Sequence, residues 1–222
     1  MQSLSSMLPP LAFDYGTDIK VLDLCAAPGS KTTQIAALMQ NRGEIVALEQ
    51  SPVRYDKLVH NAKLQGATNI RSLRTDARKF LDETTEMFDA ILLDAPCSAE
   101  GRIRLDDERT YGFFSLDNIR RKSELQLDLL LHAFMRLKPN GVLIYATCTL
   151  APEENEGVIS KFLSNGKHAL LESISFSFPE VRSGIQALGG RSYHADIEKT
   201  IRIVPSEFFE GFYIAKIRKT GL

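Results

Sequence analysis

IKVLDLCAAPGSKTTQIAALMQNRGEIVALE, residues 19–49, decides the fold. Its first seven residues, Ile19 to Cys25, are a short β-rich run of the kind buried on both faces of a parallel sheet. APGSKTTQIAALMQ then reads as a turn opening a helix, with Ser30 as its cap and Ile35, Leu38 and Met39 on one face. EIVALE, residues 44–49, is a second strand. The alternation continues downstream. Ser51 and Pro52 cap and start a helix that ends near Gly66, NIRSLRTD (69–76) is a third strand, and FDAILLD (88–94) is a fourth. Leu116 to Leu137 shows helical spacing, NGVLIYATCT (140–149) is a fifth strand, and PEENEGVISKFL (152–163) starts the next helix. Strands alternating with helices in this way predict a doubly wound, Rossmann-like α/β sheet. The tail departs from that pattern. TIRIVPS (200–206) and EGFYIAKIRK (210–219) are strand-like runs with no room between them for a crossover helix, so they predict an antiparallel C-terminal hairpin and seven strands in all.

At 222 residues, with 44% hydrophobic and 25% charged content, the chain reads as one domain over 1–222 with a single sizeable core. A net charge of −1 gives no global attraction to nucleic acid, so any such contact must come from a local patch. Three cysteines at wide separations are no disulfide framework, and four scattered histidines (His60, His132, His168, His194) without C-x-x-C or H-x-x-H argue against a metal. No apolar stretch approaches the ~18 residues of a membrane span, and MQSLSSMLPP lacks the form of a signal peptide. The expectation is a reducing, cytoplasmic setting (nucleolar or mitochondrial in a eukaryote), no membrane and a monomer.

The first strand–turn–helix carries DLCAAPGSK (23–31) in place of G-x-G-x-x-G. One glycine, Gly29, with two alanines keeps the turn tight but makes a poor pyrophosphate cradle. Glu49 ends the second strand, 20 residues after Gly29, where an acid accepts from a ribose hydroxyl pair. Asp76 ends the third strand, in reach of an adenine edge. Alone, either acid reads as a solvent-facing strand end; two successive ones behind a small-residue turn point to a nucleoside cofactor without a diphosphate, and S-adenosylmethionine fits.

Two of the cysteines also sit where strands stop, Cys97 in LLDAPCS and Cys148 in YATCTLAPEENE. With DLCAAPGSKT, these segments resemble the signature segments of the NOL/NOP/Sun (RsmB-like) family of RNA cytosine-5 methyltransferases. TIRIVP…EGFYIAK resembles that family's C-terminal hairpin, and QSLSSMLPPLAFD the segment before its cofactor turn, so the likeness covers nearly the whole chain. The chemistry accounts for the pattern. Carbon 5 of cytosine is a weak nucleophile; a thiolate adding to carbon 6 turns the ring into an enamine whose carbon 5 attacks a sulfonium methyl. A carboxyl is needed at the ring's nitrogen edge, and a group must assist release once the carbon 5 proton leaves. Asp94, Cys97 and Cys148 supply those types at strand C-termini, where open α/β sheets place their sites. The residues alone do not say which cysteine attacks, since the Pro-Cys pair of DNA cytosine-5 enzymes points to Cys97. The resemblance assigns attack to Cys148 and release to Cys97. It also implies that Cys25, Ala26, Ala27, Pro28, Gly29, Ser30, Lys31, Glu49, Arg54, Asp76 and Asp94 line the cofactor or base pocket, with Lys31 lowering a thiol pKa or steadying Asp94. Cys25 reads as an inert wall residue.

The resemblance implies RNA, ribosomal or transfer, as partner, and a chain without the family's separate N-terminal RNA-binding extension. Between Ala99 and Lys122, six basic residues (Arg102, Arg104, Arg109, Arg120, Arg121, Lys122) interleave with Glu100, Asp106, Asp107, Glu108 and Asp117, which predicts a mixed solvated face. Tyr111, Phe113 and Phe114 in that loop are candidates to stack on an extruded base or to anchor the loop. The rival functions are an exocyclic-amine methyltransferase, which DAPC in place of N/D-P-P-Y/F disfavours, a non-catalytic RNA-binding or assembly module, and a redox switch.

Overall fold

Strands buried on both faces build the sheet. In the computed structural model, which describes residues 3–16, 18–104, 106–112, 114–165 and 168–221, five parallel strands form where the apolar runs lie; Phe113 falls outside the described residues. They are β1 (Lys20–Asp23), β2 (Glu44–Leu48), β3 (Ile70–Leu73), β4 (Phe88–Asp94) and β5 (Leu137–Thr147). Four short strands follow, β6 (Ala169–Glu172), β7 (Val181–Ser183), β8 (Ala187–Leu188) and β9 (Arg191–Ser192), and then the tail hairpin, β10 (Ile201–Ile203) and β11 (Phe212–Lys219). The strand order is β3-β2-β1-β4-β5-β11-β10-β7, with β6 also on β11. β11 runs antiparallel to β5, Tyr213 opposite Thr147 and Arg218 opposite Val142. The seven expected strands are all present, and β6 and β7 widen the sheet to nine. β10 covers one end of β11's outer edge and β6 the other.

The helices are α1 (Leu4–Leu11), α2 (Ser30–Leu38), α3 (Pro52–Leu64), α4 (Ala77–Glu83), α5 (Leu116–Met135) and α6 (Glu156–Asn165). Alternate residues of each central strand feed the cores on its two faces. Phe88, Ile91 and Leu93 of β4, with Leu143 and Tyr145 of β5, pack under α5 and α6. Ala90 and Leu92, with Ile144 and Ala146, pack under α1 and α2. Both faces are covered, which is why these strands read as continuous apolar runs.

Local details differ from the sequence reading. The N-cap of α2 is Gly29, at φ 102°, and Ser30 is the first helical residue; a left-handed backbone at the cap selects glycine. Leu38 is 39% exposed while Ile35 and Met39 are buried, so of the three only the i, i+4 pair faces the core. Asp76 lies beyond β3 and caps α4, accepting from Lys79 N at 3.0 Å. α6 begins at Glu156, since residues 152–155 form a turn tied to the site.

One buried ion pair anchors the hairpin to the parallel half. Arg202 on β10 makes two 2.6 Å hydrogen bonds to Glu156 and donates to Leu150 O at 3.0 Å. The side chains are 10% and 0% exposed. Glu156→Ala leaves the Arg202 guanidinium buried without its partner, and the expected loss is about 3–5 kcal/mol in urea unfolding. A loss below about 1 kcal/mol would mean that water reaches the guanidinium and the pair behaves as a surface one.

Candidate active site

The C-terminal ends of β1, β2, β4 and β5 open on one cavity of about 650 Å³. The turn after β1 forms its floor. Gly29 N donates to Ala26 O at 2.7 Å, and Ala26 N to Leu48 O at 2.9 Å, so the turn is stitched to β2. A Cβ at Gly29 would sit 3.0 Å from Leu58 Cδ1 on α3, a second reason for glycine there. Every residue assigned from the sequence to catalysis or to the cofactor lines this cavity except Ala26 and Gly29, which form the turn behind it. Glu49 is 5% exposed, accepts from Ser51 N at 2.8 Å and lies 3.4 Å from Arg54, whose guanidinium also donates to Ala27 O at 2.7 Å. Burial pushes the Cys25 thiol far up, in keeping with an inert wall residue.

The cavity's chemistry fits a cationic nucleoside better than a dinucleotide. Its cations already hold carboxylates: Lys31 with Asp94, Arg54 with Glu49, Arg78 with Asp128 and Arg102 with Glu210. A diphosphate would have to break those pairs. Conversely, Asp23 at the cofactor turn is buried with Oδ1 unpartnered among the described residues, an acceptor awaiting a donor. Burial pushes its carboxyl up to about 7.

The two cysteines meet at the far wall. β4 and β5 are hydrogen-bonded neighbours, and Ala95 N donates to Ala146 O at 2.9 Å, so the chains leaving them run side by side. Cys97 Sγ and Cys148 Sγ are 3.3 Å apart. Next to them, Lys31 Nζ bonds Asp94 Oδ2 at 2.7 Å and Ser6 Oγ at 2.6 Å. The neighbouring Cys97 thiol holds Cys148 below the ordinary thiol range, Arg102 and Lys31 add to this, and burial and Asp94 oppose it. Cys97 moves the other way, as the partner that keeps the proton, and burial reinforces it. Lys31 thus lies within reach of both Asp94 and the thiol pair. Arg102 and Lys31 are the nearby cations that act on the Cys148 thiol in the direction of thiolate.

Peptide groups brace the pair. Gly101 N donates to Cys148 O at 3.0 Å, and Gly211 N, in the loop before β11, donates to Gly101 O at 2.8 Å. A Cβ at Gly101 would overlap the Gly211 carbonyl. Asn155 brackets Cys148, accepting from Thr147 Oγ1 at 2.6 Å and donating to Thr149 O at 3.0 Å. Ser6, Glu210 and Phe212 also line the cavity and were not legible as site residues, because they sit in an N-terminal helix and in the tail hairpin, remote in sequence from any strand-end motif.

The basic segment is a mixed face, as composition predicted. Arg104 pairs with Asp106, Arg109 with Asp107, Arg120 with Glu124 and Arg121 with Asp117. Among the described residues of that stretch, only Arg102 reaches the cavity. Among the described residues no His/Cys/Asp/Glu group has the form of a metal site, and no helix is long and apolar enough to cross a membrane.

A doubly wound sheet closed by an antiparallel strand, with an acid-lined cavity at the strand ends, defines a Rossmann-like methyltransferase fold. The family model described as 16S rRNA methyltransferase RsmB/F matches residues 11–218. The chain belongs to that family, within the NOL/NOP/Sun group. Ribosomal RNA small subunit methyltransferase F of Aeromonas salmonicida (strain A449) is 42% identical over 227 residues, covering 99% of this chain and 45% of that protein. The tRNA (cytosine(49)-C(5))-methyltransferase of Pyrococcus abyssi (strain GE5 / Orsay) is 41% identical over 221 residues, covering 98% of this chain and 69% of that protein. NSun6 from Pyrococcus horikoshii, solved with SFG, matches with a TM-score of 0.83 at 35% identity, over 100% of this chain and 53% of that one. The chain spans less than half the length of the methyltransferase F relatives it matches.

Proposed function

We propose that this chain is the catalytic domain of an RNA cytosine-5 methyltransferase, with S-adenosylmethionine as cofactor and a cytidine in ribosomal or transfer RNA as target. The observation that carries this reading is the 3.3 Å approach of Cys97 and Cys148 beside the Lys31–Asp94 pair. Related proteins named for both RNA classes support it, as does the NSun6 structure with SFG, an analogue of S-adenosylmethionine. When bound, S-adenosylmethionine supplies an electrophilic methyl group. The chain's own residues do the rest. Cys148 adds as thiolate to carbon 6, forming a carbon–sulfur bond, while Asp94 manages the proton at the ring's nitrogen edge. After carbon 5 takes the methyl group, its proton passes to a base, the freed electron pair re-forms the ring double bond, and the carbon 6–sulfur bond breaks to return Cys148 as thiolate, with Cys97 assisting that release. Lys31 keeps Asp94 oriented. The domain acts as a monomer in the cytoplasm.

Glu49 receives the ribose hydroxyls in this reading. Glu49→Ala removes a charge-assisted hydrogen bond and weakens S-adenosylhomocysteine binding by about 1.5–3 kcal/mol in calorimetry. Unchanged affinity would move the cofactor elsewhere. The reading as a whole is tested by base-resolution mapping of 5-methylcytidine in total RNA from cells with and without the gene. A single ribosomal or transfer RNA position lost on deletion is expected; identical maps would remove the proposal.

A further inference from the structure

Glu154, Asn155 and Glu156 are consecutive and 0% exposed, and each grips a different segment of the site. Asn155 holds the residues on either side of Cys148, and Glu156 holds the hairpin through Arg202. Glu154 reaches across to the other cysteine. Its Oε2 accepts from Ser98 N at 3.2 Å and from Gln126 Nε2 at 2.6 Å, and the same Gln126 amide donates to Pro96 O at 3.0 Å. Pro96 and Ser98 flank Cys97, so one carboxyl fixes both of its neighbours.

Hydrogen counting says in which form. Ser98 Oγ lies against Glu154 Oε1 and is 2.7 Å from Glu100 Oε2. Thr149 Oγ1 lies against the same Glu100 oxygen and accepts from Ala151 N at 3.0 Å. Ser98 has one hydroxyl hydrogen for two carboxyl oxygens. With both acids ionised, one contact would oppose lone pairs in a buried site, which is costly. A proton on either acid removes the conflict, and burial selects Glu154, which is fully buried where Glu100 is only half-buried: with the proton on its Oε1, Glu154 donates to Ser98, and both Ser98 and Thr149 donate to Glu100. The titratable groups facing Glu154 are Glu100 from the Cys97 loop and Tyr145 from β5, whose hydroxyl donates to Glu154 O at 2.6 Å; α5 contributes neutral Gln126. Burial raises the Glu154 carboxyl, and the Glu100 charge adds to it, against the hydrogen bonds from Ser98 and Gln126.

We propose that protonated Glu154 is a positioning residue for the cysteine pair, locking the Cys97 loop against the Cys148 loop through Ser98, Glu100 and Thr149 so that the two sulfurs stay in contact. Its catalytic meaning rests on the methyltransferase reading above, but its geometry does not. Without the lock the loops part, Cys97 no longer donates to Cys148, and the Cys148 thiol returns to an ordinary value.

Iodoacetamide alkylation of Cys148 in the full chain, resolved by mass spectrometry from roughly pH 5 to 10, reads that thiol directly and needs no RNA. Glu154→Ala is expected to raise the midpoint by about one pH unit, a tenfold loss of thiolate at neutral pH. Glu154→Gln, an isostere of the protonated acid, keeps the wild-type midpoint. S-adenosylhomocysteine binding serves as the folding control for both. If Glu154→Ala does not fold, Ser98→Ala carries the test with the same raised midpoint expected. An unchanged midpoint in the folded alanine variant overturns the proposal, as does a midpoint raised equally by Glu154→Gln. A midpoint shift in a chain that methylates no RNA would remove the proposed function and leave the lock standing.

Discussion

Cys148→Ser abolishes methyl transfer and leaves no covalent RNA–protein complex, whereas Cys97→Ser accumulates one that survives denaturing electrophoresis. The asymmetry follows from the surroundings of the two sulfurs. Cys148 has the lowered thiol, with Cys97 as donor and Arg102 and Lys31 nearby, so it is the sulfur available as thiolate for addition. A serine hydroxyl there has no accessible anion near neutral pH, and addition stops before any bond forms. Cys97 is held as the protonated partner and is expected to act after methylation. Serine at 97 permits addition and methyl transfer but slows elimination, so the base stays attached to Cys148. A complex with Cys148→Ser and none with Cys97→Ser would reverse the two roles. Full activity in both variants would reduce the pair to two small residues at strand ends.

Asp94→Asn is expected to lower single-turnover methyl transfer by about 10²–10⁴-fold, the usual worth of a positioned acid or base. Asp94 ends β4 and meets Lys31 at 2.7 Å, with its side chain 29% exposed to the cavity. The amide retains the shape but cannot exchange a proton with the ring. Addition of Cys148 would then place charge on the cytosine's nitrogen edge with no proton to meet it. Rapid-quench measurement with saturating S-adenosylmethionine separates this from binding. A loss smaller than about tenfold would mean that another group manages that proton.

Much of this was legible because the central strands are buried on both faces and spell themselves out as apolar runs. The hairpin was legible from the short spacing between residues 206 and 210. β6 to β9 were not: they are two to four residues long and mostly half-buried or exposed, and pairing at an edge leaves no periodic trace. The positions of Asp94, Cys97 and Cys148 at strand ends could be read, but their mutual distance depends on β4 and β5 being neighbours, which no local pattern states. The acids at 153–156 illustrate the opposite failure. Acidic residues ahead of an apolar run signal the first turn of a helix. Here Glu154 and Asn155 precede the helix and turn inward, because buried hydroxyls and peptide groups await them.

The contact between Gly101 and Gly211 has a bearing on how far the site can drift. Three segments remote in sequence, around residues 101, 148 and 211, touch there through main-chain atoms. Side chains reach their targets through rotatable bonds and can be exchanged for others of different length. A peptide unit has fixed dimensions whatever the sequence around it. The junction therefore works as a gauge block: it carries the sulfur spacing in units that substitution elsewhere cannot stretch. The other walls of the cavity are free to vary, provided that positions 101 and 211 stay bare.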